Sequence, residues 1–276
     1  MNLVVLAEDV DSIALKNVAK LTGASEIQQI TPRSFRLVGA QAHAGLAETC
    51  AAGGLDHAWV PEGRRLADFG LFVTDMDSTL INIECIDEIA DMQGLKAEVA
   101  AITEAAMQGE IDFRESLTRR VALLGGLPER ALEDVYTQRL QLNPGAERLM
   151  QGLKRAGIHS VLVSGGFTYF TERLKMRLGF DHAFANELEV IDGHLTGRVI
   201  GAIVDGDAKA AHLTRIRDSL GLAPHQVIAA GDGANDIPMM NAAGFGIAFH
   251  PKPVLRAVAD CSLDHSGLDG VLDLFG

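Results

Sequence analysis

The stretch FVTDMDSTL places two carboxylates, Asp75 and Asp77, one residue apart directly after an apolar run. Two like charges this close repel each other unless a cation, a proton or a shared task separates them. Side chains at positions i and i+2 of a strand share a face, so both carboxylates can approach one ligand. The spacing favours a site that binds a cation or transfers a proton, but an ordinary acidic loop and the metal site of a nucleotide-sugar glycosyltransferase also remain open.

Further polar residues follow two other apolar runs. HSVLVSGG ends near Ser164 and Gly165, and QVIAAGDG contains Asp232, with Asn235 and Asp236 just beyond it. Clustered hard oxygen ligands suit Mg²⁺, which typically binds one or two carboxylates and shares a substrate phosphate. A serine hydroxyl and the N–H groups of a glycine turn can hold phosphate oxygens, although such a sequence is usually only a turn. If the three loops converge, they predict a site for magnesium and phosphate.

One lysine lies where a helix is expected to begin. GDAKAAHLTRIRDSLGL predicts a helix capped by Asp207, with Leu213 and Ile216 in its apolar stripe. Lys209 then lies in the first turn, where a cation opposes the helix dipole. We therefore expect Lys209 to bind an anion and to neutralise charge in a transition state.

The loops that carry these residues belong to a pattern of buried strands and helices that begins at Gly70. GLFVTD, HSVLVSGG, QVIAAGDG and GFGIAF are nearly continuous apolar runs. Such runs suit a parallel sheet that is covered on both faces and binds ligands beyond the carboxyl ends of its strands. About seventy residues of helical pattern separate the first two runs, too many for one crossover helix. We predict an α/β fold with a Rossmann-like parallel sheet core and an inserted helical cap.

The first sixty or so residues follow another plan. Their pattern reads βαββαβ, with the second helix at residues 42–52, which is the order of a ferredoxin-like module. Fold analogy alone makes an ACT-like, amino-acid-sensing domain compatible with this order, and a structural or dimerising role is equally open. The predicted boundaries are a small α/β domain at 1–64 and a larger α/β domain at 65–276, with a core at 65–83 and 147–276 and a cap at 84–146.

Composition excludes several classes of protein. The chain has 276 residues, of which 47% are hydrophobic, so it can bury a substantial core. A formal net charge of −13 opposes binding to nucleic acid and to anionic membranes. Cys50, Cys85 and Cys261 have neither a metal-binding nor a disulfide spacing, which fits a reducing compartment. The start, MNLVVLAEDVD, predicts neither a signal peptide nor an anchor, so we expect a cytoplasmic protein without nucleic-acid or membrane partners.

Four motifs, in this order, resemble those of the haloacid dehalogenase superfamily: DMDST, VSGGF, the segment around Lys209, and GDGANDIPMM. ECIDEIAD, MQGEIDFRESLTRRVALL and FANELEVIDGHLTG are in addition similar to stretches of the phosphoserine phosphatases. The resemblance covers roughly residue 67 to the end of the sequence. The motifs are specific as a set, whereas an Asp-x-Asp by itself is not.

The resemblance implies a reaction through an aspartyl-phosphate. Asp75 would attack phosphorus, and Asp77 would protonate the leaving oxygen and then accept a proton from water. One Mg²⁺ per active site would be bound by Asp75, Asp232 and the main-chain carbonyl of Asp77, with Asp236 orienting the metal ligands. The phosphate would be bound by Ser164, Gly165, Lys209 and Asn235.

Charged residues of the cap are expected to bind the rest of the substrate. At about 100° per residue, Arg120 falls on the edge of the apolar stripe of its helix, whereas Arg119 points away, so Arg120 requires an anion. The resemblance makes that anion the substrate carboxylate and assigns Glu84 to the substrate ammonium group. Met107 and Phe113 would line the same pocket.

The function implied by the resemblance is hydrolysis of O-phosphoserine, a small-molecule substrate, to serine and phosphate, the last step of serine biosynthesis. One alternative is a related phosphatase or phosphotransferase for another small metabolite, and the cap would decide between the two. The other is a non-catalytic amino-acid-binding protein, for which a nucleophile and an acid together would be of no use. A homodimer is compatible with the sequence, which does not determine the oligomeric state.

Overall fold

The computed structural model describes residues 1–275, with only the backbone described at Met107. Its N-terminal part has the predicted order βαββαβ. The elements are β1 (Asn2–Leu6), α1 (Ser12–Thr22), β2 (Glu26–Thr31), β3 (Ser34–Val38), α2 (Leu46–Ala52) and β4 (Asp56–Val60). The second helix begins at Leu46 and not at residue 42, because the His43 ring accepts the Gly45 N–H at 3.0 Å and forms a turn before the helix.

The larger part alternates strands and helices, as predicted for an α/β fold. Helices α3 (Cys85–Met92), α4 (Lys96–Met107), α5 (Phe113–Leu123) and α6 (Arg130–Gln138) lie between β5 (Leu71–Thr74) and the next long strand. The later elements are α7 (Ala146–Ala156), β6 (His159–Phe167), α8 (Thr168–Leu178), β7 (His182–Ile191), β8 (His194–Ile200), α9 (Gly206–Ser219), β9 (Val227–Gly231), α10 (Ile237–Ala242), β10 (Phe245–Phe249), α11 (Pro253–Arg256), β11 (Cys261–Leu263) and α12 (Gly270–Phe275). No helix in residues 1–275 is long and apolar enough to cross a membrane. The domain boundaries themselves stay a prediction.

Across residues 1–275 the strands form a sheet in the order β2-β3-β1-β4-β11-β10-β9-β5-β6-β7-β8. Strand β5 lies between β9 and β6 and is parallel to both, with Leu71 opposite Val227 on one side and His159 on the other. The carboxyl ends of parallel strands lie at one edge of a sheet. The loops that follow β5, β6 and β9 therefore leave the sheet side by side, as the predicted parallel core requires.

Alternate side chains of β5 pack into two different apolar cores. Phe72 packs on one face with residues of the cap helices and α7, while Leu71 and Val73 pack on the other face with residues of α9 and α10. All three side chains are fully buried. Burial of one such side chain stabilises the fold by about 1.5–3 kcal/mol. Coverage on both faces explains why this strand is a continuous apolar run in the sequence.

The N-terminal strands continue the core sheet through β11, a three-residue strand that the sequence analysis does not predict. Strands β4 and β11 are antiparallel, with Ala58 opposite Cys261. The buried Asp56 carboxylate accepts hydrogen bonds from the backbone N–H groups of Asp264 and Ser266, both at 2.8 Å. Backbone pairing and a buried carboxylate thus join the N-terminal part to the core.

Candidate active site

Asp75 and Asp77 lie in a tight chain reversal at the end of β5. The Asp75 N–H donates to the Ala230 carbonyl of β9 at 3.0 Å and so extends the strand pairing by one residue. The chain then reverses, and the Leu80 N–H donates to the Met76 carbonyl at 2.8 Å. Asp75 is 3% exposed and Asp77 is half-buried. The reversal therefore holds both carboxyl groups beside the loops that follow β6 and β9.

Lys209 reaches Asp75 from α9 through the interior of the protein. Its Nζ lies 2.7 Å from Asp75 Oδ1 and 2.8 Å from Asp236 Oδ1, and the side chain is fully buried. Burial alone would lower the pKa of Lys209, but the charges of Asp236 and Asp75 outweigh burial and raise that pKa. Lys209 is therefore a fixed cation, and loss of either partner would leave an uncompensated buried charge.

Asp236 joins the loop after β9 to α9. Its Oδ1 accepts a hydrogen bond from Lys209 Nζ at 2.8 Å. Its Oδ2 accepts hydrogen bonds from the backbone N–H groups of Asp232, at 3.1 Å, and Gly233, at 3.2 Å. The carboxylate thus fixes both the lysine and the loop that carries Asp232.

The helix that carries Lys209 is capped two residues earlier than predicted. The prediction of Asp207 is wrong, because the cap is Asp205, whose Oδ1 accepts a first-turn N–H at 2.9 Å. The helix begins with Gly206, and a Cβ there would lie 2.8 Å from the Asn235 carbonyl oxygen. This close approach requires glycine as the first helical residue, and the aspartate directly before it supplies the cap. Lys209 still lies in the first turn.

Asp75, Asp232 and Asp236 together fit a divalent cation. Each offers one carboxylate oxygen, and the three oxygens lie within 4.8 Å of one another. Burial raises the pKa of Asp75 and that of Asp232, so a cation beside them would favour their ionised forms. A set of hard oxygen donors suits Mg²⁺.

Asp77 has a different environment from Asp75. Burial, and then the charge of Glu84, raise the pKa of Asp77 to about 7. Its Oδ1 accepts the Cys85 N–H at 3.4 Å, and a Cβ on Gly166 would lie 2.8 Å from its Oδ2. A carboxyl group with a pKa near 7 can both donate and accept a proton at neutral pH.

Ser164 and Gly165 lie near the end of β6, within reach of the same edge. Ser164 is buried, and its Oγ accepts the Gly166 N–H at 2.8 Å. The buried Asn186 of β7 donates from Nδ2 to the Gly165 carbonyl, and its Oδ1 accepts the Val204 N–H, both at 2.8 Å. The sequence analysis missed Asn186, which is the one buried residue of β7, a strand whose other residues are half-buried or exposed.

Helix α5 directs Arg120 towards the core. Leu117 and Val121 are buried, as the periodicity predicts, while Arg119 pairs with Glu115 on the exposed face. Arg120 is half-buried between these two faces. The sequence pattern alone thus separates the two adjacent arginines correctly.

The surroundings of Arg120 are strongly acidic. Burial lowers the pKa of Arg120, and the charges of Asp87, Glu84 and Asp77 oppose this effect. Arg120 Nε and Asp87 Oδ1 are buried and have no hydrogen-bond partner within residues 1–275. Buried polar atoms without partners are costly, and a polar ligand could supply the missing contacts.

The other predicted cap residues differ in their contacts with the core loops. Glu84 precedes α3 and accepts a hydrogen bond from Ser78 Oγ at 2.8 Å. Phe113 begins α5, and its Cζ would lie 3.0 Å from a Cβ on Gly165. The side chain of Met107 lies outside the described residues.

A known family model matches the part of the chain that carries these motifs. The model described as haloacid dehalogenase-like hydrolase matches residues 72–241, which is more than half of the chain. The chain belongs to the haloacid dehalogenase-like hydrolase family. A second model, described as a domain of unknown function, matches residues 3–46.

Individual relatives of this haloacid dehalogenase-like protein include phosphoserine phosphatases. One, from a Polaromonas species, is 54% identical over 215 residues, which cover 76% of this chain and 91% of the relative. A probable phosphoserine phosphatase from Vibrio cholerae, solved unliganded, has a TM-score of 0.87 and 36% identity, covering 99% of this chain and 86% of its own. A phospho-aspartyl intermediate analogue of phosphoserine phosphatase has a TM-score of 0.70 and 41% identity, covering 75% of this chain and 99% of its own.

A second lysine lies at the haloacid dehalogenase-like site and was missed by the sequence analysis. Lys252 follows β10, and its Nζ lies 3.2 Å from Asp232 Oδ2. The run GFGIAF predicts β10, and Lys252 lies three residues beyond the end of this run. A cation just beyond the end of a predicted core strand is therefore the sequence signal for Lys252.

Proposed function

We propose that this haloacid dehalogenase-like hydrolase converts O-phosphoserine to serine and inorganic phosphate. The observation that carries the proposal is the buried ion pair of Asp75 with Lys209, at 2.7 Å, beside a second carboxyl group, Asp77. A nucleophile, a proton carrier and a fixed cation at one strand end suit phosphoryl transfer. The phosphoserine phosphatases to which the chain is similar support the choice of substrate.

Asp75 is the proposed nucleophile. One of its carboxylate oxygens attacks phosphorus, and the bond between phosphorus and the serine oxygen breaks. Asp77 donates a proton to the departing oxygen, so serine leaves as the neutral alcohol. The product on the protein is an aspartyl-phosphate, which divides one difficult displacement into two easier ones.

The second displacement releases phosphate. Asp77, now ionised, accepts a proton from a water molecule whose oxygen attacks phosphorus. The bond between phosphorus and the Asp75 oxygen breaks, which restores both carboxyl groups. A pKa of about 7 for Asp77 suits a group that must act as acid in one step and base in the next.

We propose one Mg²⁺ per active site, held by Asp75, Asp232 and the main-chain carbonyl of Asp77. The ion supplies positive charge to the phosphoryl oxygens when it is bound. The carboxylate oxygens of Asp75 and Asp232 are close enough to share an ion. Asp236 would orient this site through its hydrogen bonds to the loop of Asp232.

The remaining proposed contacts hold the two ends of the substrate. Lys209 would neutralise the phosphoryl group, and Arg120 would bind the substrate carboxylate through its planar guanidinium group. Glu84 would bind the substrate ammonium group. The Ser164 hydroxyl, the Gly165 N–H and Asn235 would complete the phosphate site, and Phe113 and Met107 would line the pocket.

The decisive experiment compares Asp75→Asn with a matched variant, Asp9→Asn, at an exposed position of the N-terminal part. We expect Asp75→Asn to release phosphate from phosphoserine at least about 10⁴-fold more slowly, because its amide cannot form the intermediate. Asp9→Asn should retain wild-type turnover. Release at a similar rate by folded Asp75→Asn would show that another group is the nucleophile.

A substrate panel tests the choice of substrate separately. Phosphoserine, phosphothreonine and phosphohomoserine share the amino-acid group but place phosphate differently. We expect the largest kcat/KM for phosphoserine, and a larger value for another metabolite would redirect the proposal within phosphatases. Transfer of phosphate to added alcohols in preference to water would indicate a phosphotransferase.

We also propose a cytoplasmic location for the protein. Cys50, Cys85 and Cys261 are all buried and free, as expected for a reducing compartment. Fractionation of cells that express the full chain, with localised marker proteins, would test this location.

A further inference from the structure

Lys252 is attached to Asp232 at two points. The Lys252 N–H donates to the Asp232 carbonyl at 2.8 Å, and Lys252 Nζ lies 3.2 Å from Asp232 Oδ2. The chain reaches this position through His250, which has a left-handed φ of 40° and whose N–H donates to the Leu263 carbonyl of β11 at 3.0 Å. A non-glycine residue in this conformation is uncommon and needs support from its surroundings. The backbone therefore fixes where the Lys252 side chain begins.

The two lysines at the site differ in freedom of movement. The side chain of Lys209 is fully buried and lies between Asp75 and Asp236. The side chain of Lys252 is 62% exposed, and its only ion pair within residues 1–275 is with Asp232. Long exposed side chains change rotamer readily, so the Lys252 ammonium group can leave Asp232 while its backbone stays in place.

Asp232 is shared by two cations in the proposed reaction. Its carboxylate pairs with Lys252, and the same carboxylate is a proposed ligand of Mg²⁺. A divalent ion bound there would repel the ammonium group and compete with it for oxygen. Phosphate oxygens would be the nearest new negative charge, since the substrate phosphoryl group shares the metal.

We propose that Lys252 is a mobile counter-cation that competes with the divalent metal for Asp232 and transfers to the substrate phosphate when the metal binds. This inference rests on the proposed function, because it uses the assignment of Asp232 to the metal. Lys252 is thereby a second phosphate-binding cation, which couples metal binding to anion binding. The coupling is positive, since the metal releases a cation that the phosphate then uses.

Magnesium binding in the absence of phosphate tests the competition. Wild type, Lys252→Met and Lys16→Met are titrated with MgCl₂ by isothermal titration calorimetry; Lys16 is exposed on α1, and its loss changes the net charge equally. We expect Lys252→Met to bind Mg²⁺ about two- to fivefold more tightly than Lys16→Met, the range for loss of an exposed ion pair. Equal or weaker binding would overturn the competition.

Phosphate binding at saturating Mg²⁺ tests the transfer. We expect Lys252→Met to bind inorganic phosphate about tenfold more weakly than Lys16→Met, while Lys252→Arg keeps wild-type affinity because it keeps the charge. Unchanged phosphate affinity in Lys252→Met would overturn the transfer. Melting temperatures of the variants, expected to be close to wild type for this exposed side chain, confirm that the comparison is between folded proteins.

Asp232→Asn separates failure of this inference from failure of the proposed function. If the wild type binds Mg²⁺ and Asp232→Asn does not, the metal assignment stands and the lysine variants report on Lys252 alone. If Asp232→Asn binds Mg²⁺ as the wild type does, the metal site lies elsewhere and the inference fails with it.

Discussion

The core loops and the cap hold their charges in opposite ways. In the core, Lys209 is fully buried and lies within 2.8 Å of both Asp75 Oδ1 and Asp236 Oδ1. In the cap, Arg120 Nε and Asp87 Oδ1 are buried without a hydrogen-bond partner among residues 1–275. Paired charges are already positioned before a ligand arrives, whereas unpaired groups gain partners only from a ligand.

This difference suggests a division between chemistry and selectivity. Groups that must meet a developing charge are useful only if they need no rearrangement during the reaction. Groups that recognise one substrate discriminate best when the wrong substrate leaves them unpaired. Changes in the core should therefore act mainly on kcat, and changes in the cap mainly on KM.

After Asp75→Asn, the largest expected effect is that of Asp77→Asn in the core. We expect kcat for phosphoserine to fall about 10²- to 10⁴-fold, because the amide cannot exchange a proton with the leaving oxygen or with water. Magnesium affinity, measured by calorimetry, should stay close to wild type, since the proposed contact uses the main-chain carbonyl of Asp77. Normal turnover, or loss of magnesium binding, would contradict the separate roles of Asp75 and Asp77.

A smaller effect is expected for Arg120→Ala in the cap. KM for phosphoserine should rise about 10- to 100-fold with loss of one charge-assisted contact, while KM for an aryl phosphate without a carboxylate changes little. Arg119→Ala is the matched control, because Arg119 is the adjacent residue and pairs on the exposed face with Glu115. Equal effects of Arg120→Ala on both substrates would reject the carboxylate assignment and the contrast between core and cap.

The smallest effect concerns Asp205, which connects the core to the cap through an ion pair. Arg114 of α5 donates from Nε to Asp205 Oδ2 at 2.6 Å, although the sequence pattern gives no reason to expect a partner for this exposed arginine. Asp205→Ala should lower the free energy of unfolding by about 1 kcal/mol in urea at neutral pH, through loss of the helix cap, whereas Asp207→Ala should change it little. An equal loss of unfolding free energy in Asp207→Ala would contradict the assignment of Asp205 as the N-cap of α9.

The pH dependence of this last effect follows from the pKa of Asp205. The Ala208 N–H, together with Arg114, lowers that pKa in the folded protein. The ionised Asp205 carboxylate therefore stabilises the fold above its unfolded-state pKa. This contribution is lost as pH falls through the folded-state pKa of Asp205. Wild type and Asp205→Ala should become equally stable in acid, which urea titrations at several pH values would check.

Local sequence patterns predicted much of this architecture. The strands β5, β6, β9 and β10 are continuous apolar runs because the sheet is covered on both faces. The apolar runs therefore predict the burial of these strands. The position of Arg120, between the buried and exposed faces of α5, follows from helical periodicity alone. Both properties depend on neighbours within a few residues.

Features that depend on distant partners were not predictable in this way. Asp205 was missed as the N-cap of α9 because the local pattern does not separate it from Asp207, and the close approach of Gly206 to the Asn235 carbonyl is visible only in the fold. Strand β11 has only three residues, and its pairing with β4 joins segments at opposite ends of the sequence. Asn186 lies within the quoted stretch FANELEVIDGHLTG and Lys252 follows the run GFGIAF, but their hydrogen-bond and ion-pair partners become visible only in the folded sheet.

The attachment of Asp56 to the loop after β11 has a consequence for the order of events during synthesis. Asp56 accepts the backbone N–H of Asp264, a residue 208 positions later in the chain. Strand β4 can pair with β1 early, but its edge towards β11 stays unpaired until nearly all of the core has been translated, and such long-range pairing is slow to form. An unpaired strand edge can pair with another chain, so this edge of β4 is open to aggregation until β11 has formed.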